Sequence, residues 1–209
     1  LLYTYPARLT EELLRTIARE QKLCRYIDIP IQHCDDAVLK AMNRRGDAAL
    51  LRKVIARARE IVPGVALRTS LIVGFPGETH RRFERLLAFV REVRFDHLGV
   101  FGYSREEGTA AAESPSRISE QEKERRRGLV MEEQAAISAE INAGLVGSEQ
   151  EVLVEGTNDV EGYGAVGRCR RQAPDIDGVT HITRALPAGA IVRCRIVAAD
   201  EYDLYAAPL

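Results

Sequence analysis

The sequence is poor in cysteine and has no tryptophan. Its four cysteines are so far apart that they form neither a C-x-x-C pair nor any other tight cluster: Cys24, Cys34, Cys169 and Cys194. Such spacing cannot by itself build a metal site, so we predict no metal ligand in this chain. Widely spaced thiols without partners are typical of a reducing compartment, and we expect a cytoplasmic protein.

Long apolar runs and a basic leader are also missing. The longest interior apolar stretches, such as residues 70–75, have only the length of a strand, so no membrane span is predicted. The opening segment, Leu1–Tyr5, is apolar but has neither a basic lead nor a methionine, which argues against a signal peptide. We expect the numbering to begin inside a longer protein.

Charge is divided unevenly along the chain. Residues 147–209 carry ten acidic side chains against six arginines and no lysine, a net charge of −4. Residues 1–146 carry 24 basic and 21 acidic groups, a net charge of +3. An acidic C-terminal part argues against nonspecific binding of a phosphate backbone there.

Strand-like runs alternate with amphipathic helical segments through the first half. Helices are predicted to begin after Thr10, Asp35 and Asp47, whose side chains can cap them. Alternation of this kind predicts an α/β fold of parallel strands covered by helices. Four strands are too few to close a barrel, so residues 1–112 are predicted to be part of a TIM-like βα barrel. The predicted strands are Leu1–Tyr5, Tyr26–Gln32, Val65–Val73 and Leu98–Tyr103.

The second half changes character. Residues 113–146 are predicted to form a linker and a connecting helix, with Ser119 and Glu122 as a capping box. Beyond them, residues 147–209 contain only short strand-like segments separated by glycine and proline. They predict a small antiparallel, OB-like barrel of five strands, a fold that often binds polymers. The segments are Glu151–Glu155, Ala165–Cys169, Val179–Thr183, Ala190–Val197 and Asp203–Ala206.

The third predicted strand carries polar side chains on one face. Alternation along the strand places Arg68, Ser70 and Ile72 together, opposite an entirely apolar face. In a βα barrel, function lies at the carboxyl ends of the strands. A buried arginine needs an anionic partner, which is either a ligand or a carboxylate of the protein. The sequence leaves both possibilities open.

Two further strand ends carry candidate residues. The turn at 74–79, GFPGET, has two glycines that would let the backbone approach a flat ligand, although an ordinary βα turn would look the same. Gln32 and His33 follow Pro30 at the end of the second strand. His33 is either a structural residue or a catalyst, and Cys34 is expected to be an inert thiol.

Taken together, these segments resemble the methylthiotransferase branch of the radical-SAM enzymes. The resemblance rests on YIDIPIQH at 26–33, VLKAMNRR at 38–45, LRTSLIVGFPGET at 67–79, and FDHLGVFGYS at 95–104 with EGT at 107–109. Residues 166–168 (VGR) and 172–178 (QAPDIDG) resemble the TRAM domain of the same family. The joined motifs run the whole length and are more specific than any one of them alone.

The resemblance implies a transferase that uses S-adenosyl-L-methionine (SAM), two 4Fe–4S clusters and an electron donor. The family's C-x-x-x-C-x-x-C motif, which binds the SAM-associated cluster, is absent here. Family order places that motif and an N-terminal domain upstream of Leu1. The chain would then comprise the last four of six barrel strands and the TRAM domain, and alone it should bind no cluster and be inactive.

The family has two branches. One modifies an adenosine of transfer RNA, and the other, the RimO type, modifies the β-carbon of an aspartate in protein twelve of the small ribosomal subunit. The segment at 28–33 (DIPIQH) and the segment at 172–178 resemble the protein-modifying branch. A ribosomal protein or the ribosome is therefore the expected partner. The transfer-RNA-modifying sibling and a non-catalytic binding module remain alternatives.

The resemblance also implies positions for binding residues, carried over by strand position. Gln32, Arg68 and Ser70 are candidates for the SAM ribose and carboxylate. Candidates for adenine packing are Ile72, Gly74 and Phe101. In the TRAM domain the predicted substrate-binding residues are Arg168, Asp175 and Asp177, although the two aspartates could instead only shape a turn. No catalytic residue is predicted.

Overall fold

The computed structural model describes residues 1–209, which divide into two compact units. The first unit contains Leu1–Leu23 and Ile27–Gln134, and the second contains Cys24–Tyr26 and Ala135–Leu209. The long helix at 120–143 contributes residues to both. None of the helices combines the length and the apolar character needed to cross a membrane.

The first unit alternates helices and strands as predicted. Its elements, in order, are a short 3-10 helix (Pro6–Arg8), α1 (Glu11–Arg19), β1 (Tyr26–Asp28), α2 (Asp36–Ala41), α3 (Ala48–Ile61), β2 (Ala66–Val73), α4 (His80–Val93), β3 (His97–Gly102) and α5 (Glu120–Ala143). The side chains of Thr10, Asp35 and Asp47 each accept a hydrogen bond from the first turn of the helix that follows, which confirms the predicted caps.

The three strands form one sheet in the order β1-β2-β3. Strands β2 and β3 are parallel, with Arg68 opposite His97 and Ile72 opposite Phe101. Because crossovers between parallel strands are right-handed as a rule, α3 and α4 are expected on the same side of this sheet. In β2 the residues Thr69, Leu71 and Val73 are fully buried, whereas the alternate residues are half-buried. One face therefore packs in the core and the other is the more open one.

The first predicted strand is not a strand in the structure. Two backbone hydrogen bonds of 2.9 Å, from the N–H of Thr4 to the carbonyl of Asp28 and from the N–H of Asp28 to the carbonyl of Leu1, hold the segment beside β1. Between them Tyr3 has a φ of +57°, which breaks the extended geometry that a strand needs. The sheet thus has three strands rather than four, because an apolar pattern does not reveal a local reversal of the backbone.

The second unit contains a closed five-stranded barrel, as predicted. Its strands are β4 (Glu149–Thr157), β5 (Ala165–Cys169), β6 (Thr180–Ile182), β7 (Ile191–Ala199) and β8 (Leu204–Pro208), arranged in the ring order β4-β5-β6-β8-β7. The prediction of an antiparallel barrel is wrong for one pair, because β6 and β8 are parallel. A closed ring with an odd number of strands cannot alternate direction throughout, so at least one pair must be parallel.

The barrel has its own apolar core. Inward-facing residues of all five strands are buried together, and register shifts in β4 and β7 let these longer strands bend around them. The core residues are Val152, Val154, Ala165, Cys169, Ile182, Cys194, Ile196, Leu204 and Ala206. A barrel that closes on itself leaves no free sheet edge, which stabilises so small a domain.

Candidate functional site

The open face of the three-stranded sheet brings several predicted residues together. Ser70 and Ile72 lie on this face of β2, and the parallel register puts Phe101 of β3 opposite Ile72. The Phe101 side chain is 57% exposed although it is a large aromatic. Gly99, opposite Ser70, has no side chain to fill the space between the Phe101 ring and Arg68. The result is a shallow surface with a hydroxyl, an aliphatic chain and an aromatic ring.

Arg68 lies on the same face and has an anionic partner within the protein. Its Nη1 lies 3.1 Å from Asp28 Oδ1 and 3.2 Å from the hydroxyl of Ser70. The Asp28 side chain is only 1% exposed, and it also accepts a hydrogen bond from the N–H of Tyr3. Of the two possibilities that the sequence left open, the structure shows the carboxylate pair. A contact of Arg68 with SAM remains a prediction.

Gln32 is held against the same part of β2 by its backbone. It adopts a left-handed conformation, with a φ of +67°, which is uncommon for residues other than glycine. Its N–H donates to the carbonyl of Ser70 at 2.9 Å, and its own carbonyl accepts from the N–H of Ile72 at 2.8 Å. These two bonds fix the position of Gln32 beside the open face, where its side chain is half-buried.

Gly74 needs to be glycine for a reason that the sequence did not reveal. Its φ is +76°, and a methyl group on its α-carbon would lie 2.3 Å from Cγ of Lys123 in α5. The close approach at Gly74 is therefore made by a side chain of this protein. Its predicted packing against adenine stays a prediction.

Sequence reasoning missed the charged residues that surround this turn. Glu78 is buried with its carboxylate 3.1 Å from Nη1 of Arg126, and the same nitrogen donates to the Glu78 carbonyl at 2.8 Å. Lys123, one turn earlier in α5, donates from Nζ to the carbonyl of Tyr103 at 2.7 Å. No signal in the charged run at 120–127 distinguishes these two cations from their exposed neighbours.

His33 and Cys34 are buried, and both side chains contact other groups of the protein interior. The Nδ1 atom of His33 accepts a hydrogen bond from the N–H of Asp35 at 2.9 Å, so the ring proton lies on Nε2, 3.5 Å from Oε1 of Glu78. Burial raises the pKa of the Cys34 thiol to about 12. A thiol that stays protonated at neutral pH is a poor nucleophile, in agreement with the inert role expected for Cys34.

The segment that follows β3 lines a cavity. It has a volume of about 370 Å³ and is lined by Arg105, Glu107, Gly108, Ala112 and Glu113. One cation and two carboxylates around a small cavity can bind a group that carries both signs of charge, such as a peptide segment with acidic and basic side chains. Glu107 and Gly108 belong to the EGT motif at 107–109, but no role in a cavity was assigned to any of these residues from the sequence.

The predicted TRAM residues lie in three different settings. Arg168 is paired with Glu155, Nε to Oε1, at 2.7 Å. The Oδ2 atom of Asp177 accepts a hydrogen bond from the N–H of Ala173 at 2.8 Å, which shapes the turn, and another from the hydroxyl of the distant Tyr26 at 2.7 Å. Asp175 is exposed and left-handed, with a φ of +65°. Their part in substrate binding stays a prediction.

An aromatic cluster on the barrel was not foreseen either. The rings of His181 and Tyr205 stack with centroids 5.0 Å apart, and Tyr163 lies 5.3 Å from Tyr205. The hydroxyl of Tyr205 donates to Asp200 at 2.9 Å. Burial by itself would raise the pKa of Asp200, but hydrogen bonds from Asp203, Tyr202 and Tyr205 outweigh it, and the pKa of this carboxyl is lowered.

The residues present fit SAM but not an iron–sulfur cluster. Three of the four cysteines are buried, Cys24 alone is exposed, and no three His, Cys, Asp or Glu side chains in residues 1–209 are grouped so as to hold a metal. The open face, in contrast, offers the chemistry that a nucleoside with an amino-acid tail requires: an exposed aromatic ring, a hydroxyl, an amide and a cation.

Comparisons with known proteins match both units. Residues 1–90 match the radical SAM superfamily, and residues 146–209 match the TRAM domain, next to the start predicted at 147. Two bacterial proteins named ribosomal protein uS12 methylthiotransferase RimO are similar. The one from Syntrophus aciditrophicus is 60% identical over 99% of this chain and 46% of its own length. The one from Geobacter sulfurreducens is 51% identical over 98% of this chain and 46% of its own length. The chain thus spans about half the length of these relatives.

A solved structure agrees with the fold of the first unit. Coproporphyrinogen III oxidase from Escherichia coli, described as a radical SAM enzyme, superposes with a TM-score of 0.51 at 24% identity. The match covers 64% of this chain and 30% of that one. At this level of identity the likeness supports the partial-barrel fold alone.

Proposed function

The chain belongs to the radical-SAM methylthiotransferases, and we propose that the full-length protein adds a methylthio group to an aspartate β-carbon in protein twelve of the small ribosomal subunit. Support comes from relatives that are 45–60% identical over nearly the whole chain and are named for this reaction's substrate, uS12. A reaction on ribosomes would place the protein in the cytoplasm. Reductive cleavage of SAM would in addition require an electron donor.

The single observation that carries the cofactor part of the proposal is the open face of the sheet. Bound SAM supplies the radical chemistry that an unactivated carbon requires. On the protein side, the Phe101 ring would pack against the adenine beside Ile72, and Ser70 and Gln32 would bind the ribose. Arg68, oriented by Asp28, would attract the carboxylate of the methionine part.

The cluster ligands belong to the part of the protein outside this chain. None of the cysteines here is placed to hold a cluster together with two others. We therefore expect the 209-residue chain to be inactive alone. Anaerobic reconstitution with iron and sulfide should leave it without the charge-transfer absorption of a 4Fe–4S cluster, and a stoichiometric cluster signal would contradict this expectation.

Charge supports a protein rather than a nucleic acid as the substrate. The four barrel arginines at 168, 170, 193 and 195 are paired with three glutamates of β4, with Glu149 shared by Arg193 and Arg195, so most of their positive charge is compensated. The domain as a whole carries −4. Ribosomal proteins are strongly basic, so long-range attraction would steer one towards this domain, whereas RNA would be repelled.

One experiment separates the three candidate functions. The full-length protein, with its clusters reconstituted, is given SAM and a reductant together with either ribosomal subunits or transfer RNA. Peptide and nucleoside mass spectrometry then locate any methylthio group. A methylthio-aspartate in uS12 supports the proposal. Modification of adenosine instead would favour the transfer-RNA branch, and binding without modification of either would favour a non-catalytic module.

The cofactor assignment is tested by replacing Phe101 with leucine in the full-length protein. Loss of aromatic packing worth about 0.5–1.5 kcal/mol should raise the Kd for SAM by about 2- to 10-fold, measured by calorimetry. Tyr202→Leu is the matched control, because Tyr202 is a comparably exposed aromatic of the barrel. An unchanged Kd for Phe101→Leu would remove the ring from the adenine site.

The role of the TRAM turn is tested with Asp175→Asn and Asp177→Asn together. Asparagine keeps the acceptor oxygens that shape the turn but removes two negative charges. Association with the ribosomal protein should slow, most clearly at low salt. Glu12→Gln together with Glu132→Gln, at exposed positions of the first unit, is the control for the loss of two negative charges alone. Equal rates for the double variant and this control would contradict the assignment.

A further inference from the structure

One buried carboxylate connects three segments around the candidate SAM site. Glu78 ends the glycine turn after β2, and its carboxylate accepts a hydrogen bond from the N–H of Gly74 at the start of that turn. Its other oxygen faces Nε2 of His33, the residue after Gln32. Arg126 of α5 completes the group from the third direction. All three side chains are at least nine-tenths buried.

This group lies beside the two backbone positions that shape the open face. Gln32 and Gly74 are both left-handed, with φ values of +67° and +76°. Glycine adopts this conformation freely, whereas Gln32 keeps it only because surrounding contacts hold it. Glu78 binds the amide of Gly74 directly, and its Oε1 lies 3.5 Å from Nε2 of His33, the neighbour of Gln32, without forming a hydrogen bond. The direct effect of Glu78 is therefore on the turn that begins at Gly74.

Arg126 is what makes such a carboxylate tolerable in the interior. An isolated carboxylate is costly to bury unless an opposite charge compensates it. Arg126 supplies the compensating charge, and its Nη1 also binds the Glu78 carbonyl at 2.8 Å. The neighbouring Lys123 lies over Gly74 and binds the end of β3 through Tyr103. The first turns of α5 thus clamp the carboxyl ends of β2 and β3.

We propose that Arg126 is a positioning residue for SAM, acting through Glu78 on the backbone of Gly74. The helix that follows the linker is then part of the architecture of the cofactor site. This inference rests on the proposed function, since it takes the open face as the SAM site. Arg126 would not touch SAM; it would keep the turn in the shape that SAM binds.

The test uses the full-length protein with Arg126→Met and Arg126→Lys. For Arg126→Met we expect the Kd and KM for SAM to rise at least tenfold, with a smaller change in kcat. Amide hydrogen exchange at Gly74 should become faster. Arg126→Lys, which keeps the charge, should recover part of the affinity. Arg127→Met is the matched control, because Arg127 is on the same helix but is exposed and paired only with Glu124.

The outcomes separate this inference from the proposed function. If wild type does not bind SAM, the proposed function fails, whatever Arg126 does. If wild type binds SAM and Arg126→Met lowers only the melting temperature, leaving the Kd of the folded protein unchanged, Arg126 is merely structural and the inference is overturned. Should Arg126→Met not fold, Glu78→Gln serves instead: it keeps the shape, removes the buried carboxylate while Arg126 stays paired with Glu122, and should weaken SAM binding in the same way.

Discussion

The pair of Arg68 and Asp28 gives a prediction that decides between the two possible partners of this arginine. The change is Arg68→Met in the 209-residue chain, with no cofactor present. It removes the cation but keeps a long side chain in the same space. Asp28, whose side chain is 1% exposed, is then left as a buried carboxylate with only the 3.2 Å hydrogen bond from Tyr3.

The expected cost follows from that burial. Removing one partner of a buried ion pair typically destabilises a protein by about 3–5 kcal/mol, because the remaining charge is uncompensated. Arg68 is 12% exposed and Asp28 keeps one donor, so we expect a loss near the lower end, about 3 kcal/mol. With a urea slope of about 1–3 kcal/mol per molar, the unfolding midpoint should fall by about 1–3 M.

Urea unfolding followed by circular dichroism measures this loss. Arg52→Met is the control, since Arg52 forms an exposed pair with Glu92 at 2.6 Å that should be worth less than about 1 kcal/mol. The double variant Asp28→Asn with Arg68→Met should recover much of the stability, because no buried charge is left. If Arg68→Met lowers the free energy of unfolding no more than Arg52→Met does, Asp28 is not the principal partner of Arg68 and the reasoning from the ion pair is refuted.

Three further predictions concern the barrel. Gly167→Ala should cost about 1–3 kcal/mol in thermal unfolding, because its methyl group would lie 2.1 Å from the carbonyl oxygen of Leu153; Gly156→Ala, which meets nothing within 4 Å, should cost less, and equal costs would contradict the steric argument. Ile182→Ala should lose about 2–5 kcal/mol, since Ile182 is fully buried in the core, and a loss below 1 kcal/mol would show that the core closes around the gap. The lowered pKa of Asp200 stabilises the fold above its unfolded pKa of about 3.9, and this contribution disappears as the pH falls through the lower folded value. Asp200→Asn should therefore have a smaller free energy of unfolding than wild type at pH 7 and lose less of it on acidification. Parallel profiles of unfolding free energy against pH would refute the assignment.

The helices and their beginnings were predictable because their causes are local. Thr10, Asp35 and Asp47 each cap a helix within three residues of their own position, so the pattern needs no knowledge of the rest of the chain. The two faces of β2 were predictable for the same reason, since side chains of a strand alternate wherever the strand lies. The five barrel strands were also found, with ends that shifted by up to a few residues.

Of two features that were missed from the sequence, the parallel strand pair was predictable and the burial of Glu78 was not. A closed barrel of five strands must contain a parallel pair, and that conclusion follows from counting alone. The turn Gly74–Thr79 contains Glu78, yet nothing marks a glutamate at the start of a helix as buried rather than exposed, because acidic residues are common at helix N-termini.

What the sequence by itself determined is most of the helices and strands, the five-stranded barrel and the family, since these depend on local pattern and on motifs that stay together in the chain. Only the tertiary structure decided which charges meet. Arg68 is 40 residues from Asp28, and Arg126 is 48 residues from Glu78. Electrostatic energy depends on separation in space and on burial, and neither is written in the order of the residues until the chain has folded.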